Sequence, residues 1–237
     1  MPMFTVHHVA ALDLAFKPMD WPFATERAAE IAQHFARLKQ VKPAIWNGRI
    51  LQCRNRRIED RVYRADYFET DFAAFMAWRD WNAAANGVSH CFGGGALRSA
   101  DGAFVLGTMA DHTANAGRVY FPAGTPEPGD IVAGRVDLAA SVAREITEET
   151  GLEVTDYVVE DGWAVVEGPR FSACYQPLRA HLPAAALVEK INAFLRRETQ
   201  PELSEIIAVR NLDDLPASAP EFVRAFLADA FARREGA

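Results

Sequence analysis

Cysteine is scarce: the 237 residues include Cys53, Cys91 and Cys174 and no others. They lie far apart and form no CxxC or CxxH unit. That argues against a zinc module or a disulfide framework, and makes buried free thiols in a reducing cytosol the expectation. Positive charge is also in deficit. Lys and Arg number 25 against 32 Asp and Glu, a formal net charge of -7. Such a chain is poorly suited to a nucleic-acid partner held by a basic field. A basic leader and a long apolar run are both missing. The start, Met1-Pro2-Met3-Phe4-Thr5-Val6-His7-His8, carries no lysine or arginine, and Asp13 and Lys17 interrupt the apolar residues after it. Neither a signal peptide nor a membrane span is expected, and the expected location is the cytoplasm. Gly93-Gly94-Gly95 lacks the Gly-Lys-Ser/Thr that a phosphate loop needs, so a backbone crossing or bulge is its expected use.

What is present is ordinary globular composition, 50% apolar and 24% charged, in a chain long enough to bury a substantial core. The most informative stretch is Arg144-Glu145-Ile146-Thr147-Glu148-Glu149-Thr150-Gly151-Leu152. On a helix, positions i, i+3 and i+4 fall within about 100° of one face, so Glu145, Glu148 and Glu149 crowd together. Like charges at that spacing repel by a few tenths of a kcal/mol per pair. A cation between them removes the penalty, and an all-oxygen ligand set suits a hard divalent ion such as Mg²⁺ or Mn²⁺. A Glu-rich run taken alone is more often a solvated helix face. The local signals for a helix are good. Asp137 suits an N-cap, Gly151 a C′ position, and Leu138, Val142 and Ile146 form an i, i+4, i+8 stripe for a sheet.

Arg144 to Leu152 match the core of the Nudix box, and Tyr120-Phe121-Pro122-Ala123-Gly124 resembles the aromatic, proline and glycine lead-in that precedes it. The first half of the box departs from the pattern. Counting back from Arg144 puts the family's glutamate on Val136 and its glycine on Asp130. The nearest acid is Asp137, open to two roles: a helix cap, or the family glutamate's pairing with the box arginine. The nearest suitable glycine is Gly124, followed by a turn-rich insertion. The resemblance implies an α/β fold, the α/β/α sandwich with a mixed sheet. It implies metal binding by Glu145, Glu148 and Glu149, with Arg144 orienting them. It implies hydrolysis of a pyrophosphate bond in a nucleoside diphosphate linked to another group, a small-molecule nucleotide such as a nucleotide-sugar. NAD(H) or coenzyme A type substrates are alternatives, the first disfavoured by the lack of zinc-ribbon cysteines. A non-catalytic ligand sensor is another, disfavoured by the three retained carboxylates. The catalytic base is open between a box glutamate and a late-loop acid, for which Glu205 is the first choice and Glu202 the second. The family also commonly forms homodimers.

Residues 1–88 read as an N-terminal α+β appendage, shaping a substrate pocket or a dimer contact, and residues 89–237 as the hydrolase domain. Within the first, a strand is expected over 4–16, helices over 25–40 and 70–85, and a hairpin at Asn47-Gly48. Ile45-Trp46-Asn47-Gly48-Arg49 is loosely similar to the leading segment of Nudix enzymes that cleave UDP-sugars, too loosely to assign a substrate. Within the second, strands are expected over 89–97, 103–109, 156–166, 171–182 and 206–209, with helices over 183–197 and 220–234. Tyr120, Phe121 and Trp163 could stack on a nucleobase, though core packing is the stronger expectation. The scattered histidines read as packed or surface residues.

Overall fold

A computed structural model describes residues 3–84 and 86–235. Met1 and Pro2 of the expected leaderless start, and Ala85 at the end of the helix expected over 70–85, lie outside the described residues. The first elements are β1 (Thr5–Val9), β2 (Ala11–Phe16), α1 (Pro22–Glu26), α2 (Ala28–Val41), β3 (Arg49–Glu59), β4 (Val62–Asp71) and α3 (Phe72–Asp80). Next come β5 (Val88–Arg98), β6 (Phe104–Met109), β7 (Val119–Tyr120), β8 (Ala123–Gly124), β9 (Ile131–Val132), β10 (Arg135–Val136) and α4 (Leu138–Thr150). The chain closes with β11 (Tyr157–Val159), β12 (Trp163–Glu167), β13 (Phe171–Ala180), α5 (Ala184–Leu195), β14 (Leu203–Val209) and α6 (Glu221–Glu235). No helix among the described residues is long and apolar enough to cross a membrane.

The protein is α/β, with helices packed on both faces of a mixed sheet. β5 is the hub. It runs parallel to β13, with His90 opposite Phe171 and Arg98 opposite Arg179, and antiparallel to β3, β6 and β8. Leu178 and Leu97 bury one face under α4 and α5, whose Val142, Ile146, Leu187 and Ile191 close that layer. Ala96 and Tyr175 bury the other under Val223, Phe226 and Leu227 of α6. Each fully buried Leu, Ile or Val contributes roughly 1.5–3 kcal/mol. The N-terminal strands join the same sheet: β1 pairs with β12, β2 with β4 and β10, and β3 with β5. A buried seam containing Leu51, Tyr67, Cys91, Leu138 and Cys174 runs between these strands and the rest. The three cysteines are free and buried.

Three expected elements come out differently. The run over 4–16 is two strands, not one, because Ala10 donates its N–H to Arg61 O and the chain passes there from β12 to β4. The run over 156–166 breaks at Gly162, whose φ of 76° no extended strand allows. Asn47-Gly48 turns no hairpin. The Asn47 side-chain oxygen accepts from Ala73 N at 2.8 Å and Gly48 O accepts from Phe72 N at 2.9 Å, so the pair holds the start of α3.

Gly93-Gly94-Gly95 is neither a crossing nor a bulge but a continuous stretch of β5 that lets its neighbours come close. A methyl at Gly93 would stand 2.7 Å from Val142, and one at Gly95 2.6 Å from Ile146. The α4 stripe therefore rests on bare backbone. Gly95→Val is expected to lift α4 from β5 and cost about 1–3 kcal/mol, read as a lower urea midpoint with an unchanged slope. An unchanged midpoint would contradict this seating.

Candidate functional site

α4 delivers the carboxylates. The Asp137 side chain accepts from Ala140 N at 3.0 Å, so of its two open roles it takes the cap. Gly151, at φ 66°, ends the helix with its N–H on Thr147 O. Along the exposed-to-buried edge of α4, Glu148 is exposed, Glu145 is half-buried and Glu149 is buried at 5% exposure. The carboxylate of Glu145 lies on the backbone of Gly124, where a methyl would come within 2.1 Å of it. β8 thus has to carry a glycine at that point.

Arg144 answers a partner that counting along the box does not find. Its two Nη atoms donate to Asp130 Oδ1 and Oδ2 at 3.2 and 3.3 Å, and to Glu145 Oε1 at 3.2 Å. Asp130 is itself buried, and its side chain also accepts from Glu127 N at 2.9 Å. Asp130 O accepts from Asp137 N, so this one residue ties the insertion to both the cap and the arginine of α4. The available signal was local: Glu127-Pro128-Gly129-Asp130 has the i, i+3 spacing of a capping turn.

The charges are crowded. Burial pushes the Glu145 carboxyl up to about 7, with Glu148, Glu202 and Asp130 adding to the rise and Arg144 opposing it. Burial also raises Glu149 well above the usual carboxylate range, reinforced by Glu145 and Glu202. Glu149 Oε2 is buried without a hydrogen-bond partner. Late in the chain, Glu202 is the acid that reaches this cluster electrostatically. Glu205 lies exposed on β14, opposite Thr108. The donor set therefore fits a hard divalent cation in kind: oxygen ligands, a surplus of negative charge and an orphaned carboxylate atom. Among the described residues, no three acidic, histidine or cysteine side chains already converge as ligands, and Arg144 holds Glu145 in the meantime.

Two cavities share part of their lining here. One, of about 400 Å³, is lined by Glu149, Gly124 and Thr125 together with Phe75, Phe92 and Tyr120. The other, of about 340 Å³, is lined by Glu127, Glu202, Trp46 and His112. Phe72 and Ala114 border both. Of the aromatics considered from the sequence, Tyr120 and Phe121 line the first cavity, with Phe121 also deep in the core, whereas Trp163 lines a different hollow beside His8 and Asp161.

No family model matches the chain, and no curated protein does. Solved structures do. The MutT protein from Methanosarcina mazei Go1 is 22% identical over 62% of this chain and 95% of its own, with a TM-score of 0.43. The Nudix hydrolase RenU from M. smegmatis is 17% identical over 61% and 86%, with a TM-score of 0.40. A C. elegans Ap4A hydrolase, in a binary complex, is 17% identical over 62% and 99%, with a TM-score of 0.44.

Both raised acids bind protons more readily in the fold than as free carboxylates. The metal-free protein should therefore lose stability as pH rises from about 4.5 through about 7. Glu149→Gln removes a buried charge, so at pH 8 in EDTA it is expected to raise Tm by about 2–6 °C. A fall in Tm would mean that Glu149 is a structural anion. Asp130→Ala leaves Arg144 half-satisfied and is expected to cost about 2–3 kcal/mol in chemical denaturation; a neutral result would remove Asp130 from its anchoring role.

Proposed function

We propose that this protein is a Nudix-type, metal-dependent pyrophosphohydrolase acting on a nucleoside diphosphate linked to another group, with a nucleotide-sugar as the leading case. One observation carries the reading: carboxylates crowd one edge of α4, with the buried Glu149 lining the larger cavity and its Oε2 left without a hydrogen-bond partner. Mg²⁺ or Mn²⁺ would be held by Glu145, Glu148 and Glu149. When bound, such an ion offsets charge on the pyrophosphate oxygens and lowers the pKa of water.

The protein's own groups do the rest. Arg144, fixed by Asp130, would orient the Glu145 carboxylate that would hold the cation. Gly124 keeps the space that the Glu145 carboxylate occupies. A late-chain carboxylate accepts the proton of the attacking water. Glu205 remains a candidate from the sequence, and the charge coupling of Glu202 to Glu145 and Glu149 favours Glu202. The N-terminal segment contributes Trp46 and Phe72 to the cavity walls, a pocket-shaping role.

The test is hydrolysis of nucleotide-sugars, ADP-ribose, NADH, coenzyme A and diadenosine polyphosphates with Mg²⁺, Mn²⁺ or EDTA, read as the phosphate that a coupling phosphatase frees from the phosphomonoester products. Metal-dependent cleavage of one class is expected, with Glu148→Gln lowering kcat by at least about 100-fold at unchanged Tm, in keeping with loss of a group that stabilises the transition state. Turnover in Glu148→Gln close to wild type, or turnover untouched by EDTA, would overturn the assignment. Glu202→Gln should remove the rise in rate on the acidic side of the pH–rate profile while Glu205→Gln leaves it in place; the reverse result returns the role to Glu205.

A further inference from the structure

We propose that a third hollow, with no wall from α4, binds a phosphomonoester carried on a compact hydroxylated body. Its lining shares no residue with the two cavities beside the box carboxylates, so the assignment does not depend on the hydrolase reading.

The hollow holds about 380 Å³, enough for a small molecule. Its walls come from the β1–β2 bend, the β3–β4 turn, the segment leading into β12, β13 and the last turn of α6. Backbone contacts tie these parts together. Ala10 N donates to Arg61 O at 2.7 Å, Val9 pairs with Trp163, and Glu160 N donates to Pro177 O at 2.9 Å. Gly162 lies so close to Val9 O that a methyl would stand 2.8 Å from it. The hollow is therefore a fixed part of the fold.

Two cations, Arg61 and Arg233, line it. Arginines on the neighbouring strands are taken: Arg64 by Asp13 and Glu59, and Arg98 and Arg179 by Glu160. Asp229, one turn before Arg233 on α6, is taken by His8 at 2.7 Å. Among the described residues, neither Arg61 nor Arg233 has a carboxylate in ion-pair contact, and Asp161 pairs with neither although it shares the lining. Arg61 also stands where the backbone favours glycine. Asp60 and Arg61 turn the β3–β4 hairpin at φ 52° and 59°, with Glu59 opposite Val62. A two-residue turn with both φ positive favours Asp-Gly, and a long side chain at its second place is strained. Such strain clusters where a side chain has a task.

Two unpaired guanidinia in one small hollow suit a dianion, and each can meet a phosphate with paired N–H donors. A carboxylate would satisfy one of them and leave the other. Inorganic phosphate would leave the flat apolar face of Trp163 uncovered. Asp161 accepts hydroxyls and repels further negative charge, which disfavours di- and triphosphates. A phosphate, an apolar ring face and hydroxyls occur together in a sugar phosphate and in a nucleoside monophosphate.

The experiment uses the full chain in EDTA, where catalysis plays no part. Glucose 6-phosphate and uridine 5′-monophosphate are titrated by calorimetry and by NMR of the tryptophan indole N–H signals, with Trp163 identified from Trp163→Phe. Inorganic phosphate, glucose and uridine are the controls. At least one ester should bind and shift the Trp163 signal, and the tighter of the two names the body. Arg61→Gly and Arg233→Gln should each weaken that binding by about tenfold or more. Glycine suits the turn, so Arg61→Gly should keep or raise Tm while it loses affinity, a split that a merely structural arginine would not produce. The inference falls if neither ester moves Trp163, if inorganic phosphate binds as tightly as the esters, or if Arg61→Gly binds like wild type. Loss of affinity together with a fall in Tm in Arg61→Gly would mark Arg61 as scaffold and overturn it too. Turnover of a pyrophosphate substrate bears on the α4 carboxylates alone, so either reading can fail without the other.

Discussion

Close approach of α4 to glycine backbone is the constraint on which the site depends. Gly93 and Gly95 let Val142 and Ile146 settle on β5, and Gly124 lets the Glu145 carboxylate lie against β8. A larger side chain at any of these points would have to push the helix or its carboxylates outward. Packing at that distance also strips water from Glu149, and the loss of water raises its pKa. Steric economy in the sheet and electrostatic tension at the site are therefore one feature seen from two sides. The tension is eased by Arg144, whose guanidinium is shared among Asp130, Glu145 and Glu127, and by a backbone hydrogen bond from Ala123 to Glu149.

That sharing explains how an atypical box can keep an ordered helix. The resemblance expects a glutamate at 136, but Val136 is buried in the seam. Asp130, six residues earlier in the chain, takes the arginine instead, and its backbone oxygen receives Asp137 N. The insertion over 125–135 thus replaces one side-chain contact by a folded turn. A turn anchored at both ends loses less entropy on ordering than a free loop of the same length.

Much of this was legible in the sequence where the determinants are local. The cap at Asp137, the left-handed Gly151 and the stripe Leu138, Val142, Ile146 all lie within α4, and each occupies the position its chemistry suggests. The α/β class was the expectation that the resemblance over Arg144 to Leu152 carried. The errors fall where a distant partner decides. Asn47-Gly48 has hairpin chemistry, but Ala73 claims the Asn47 side chain from 26 residues away. The run over 4–16 is uniformly β-prone, yet its halves join different neighbours. Asp130 could not be picked out by counting from Arg144, because the pairing crosses a loop whose path no spacing encodes. The three-residue separation of Glu202 and Glu205 likewise hides which of them faces α4.

The N-terminal segment shows why a division drawn along the sequence understates what it contributes. Its strands share hydrogen bonds with β5, β10 and β12, and its α3 presents Phe72 and Phe75 to the space beside Glu149. A helix held at its start by Asn47 and Gly48, and buried through Ala73 to Trp78, is a rigid wall rather than a mobile flap. Rigid walls select by shape without a cost in ordering on each binding event. The division of labour is a consequence of that rigidity. On the proposed reading, α4 and its glycine seats would set the chemistry and α3 would shape the space beside it, since Phe72 and Phe75 line that cavity while the carboxylates stand on α4.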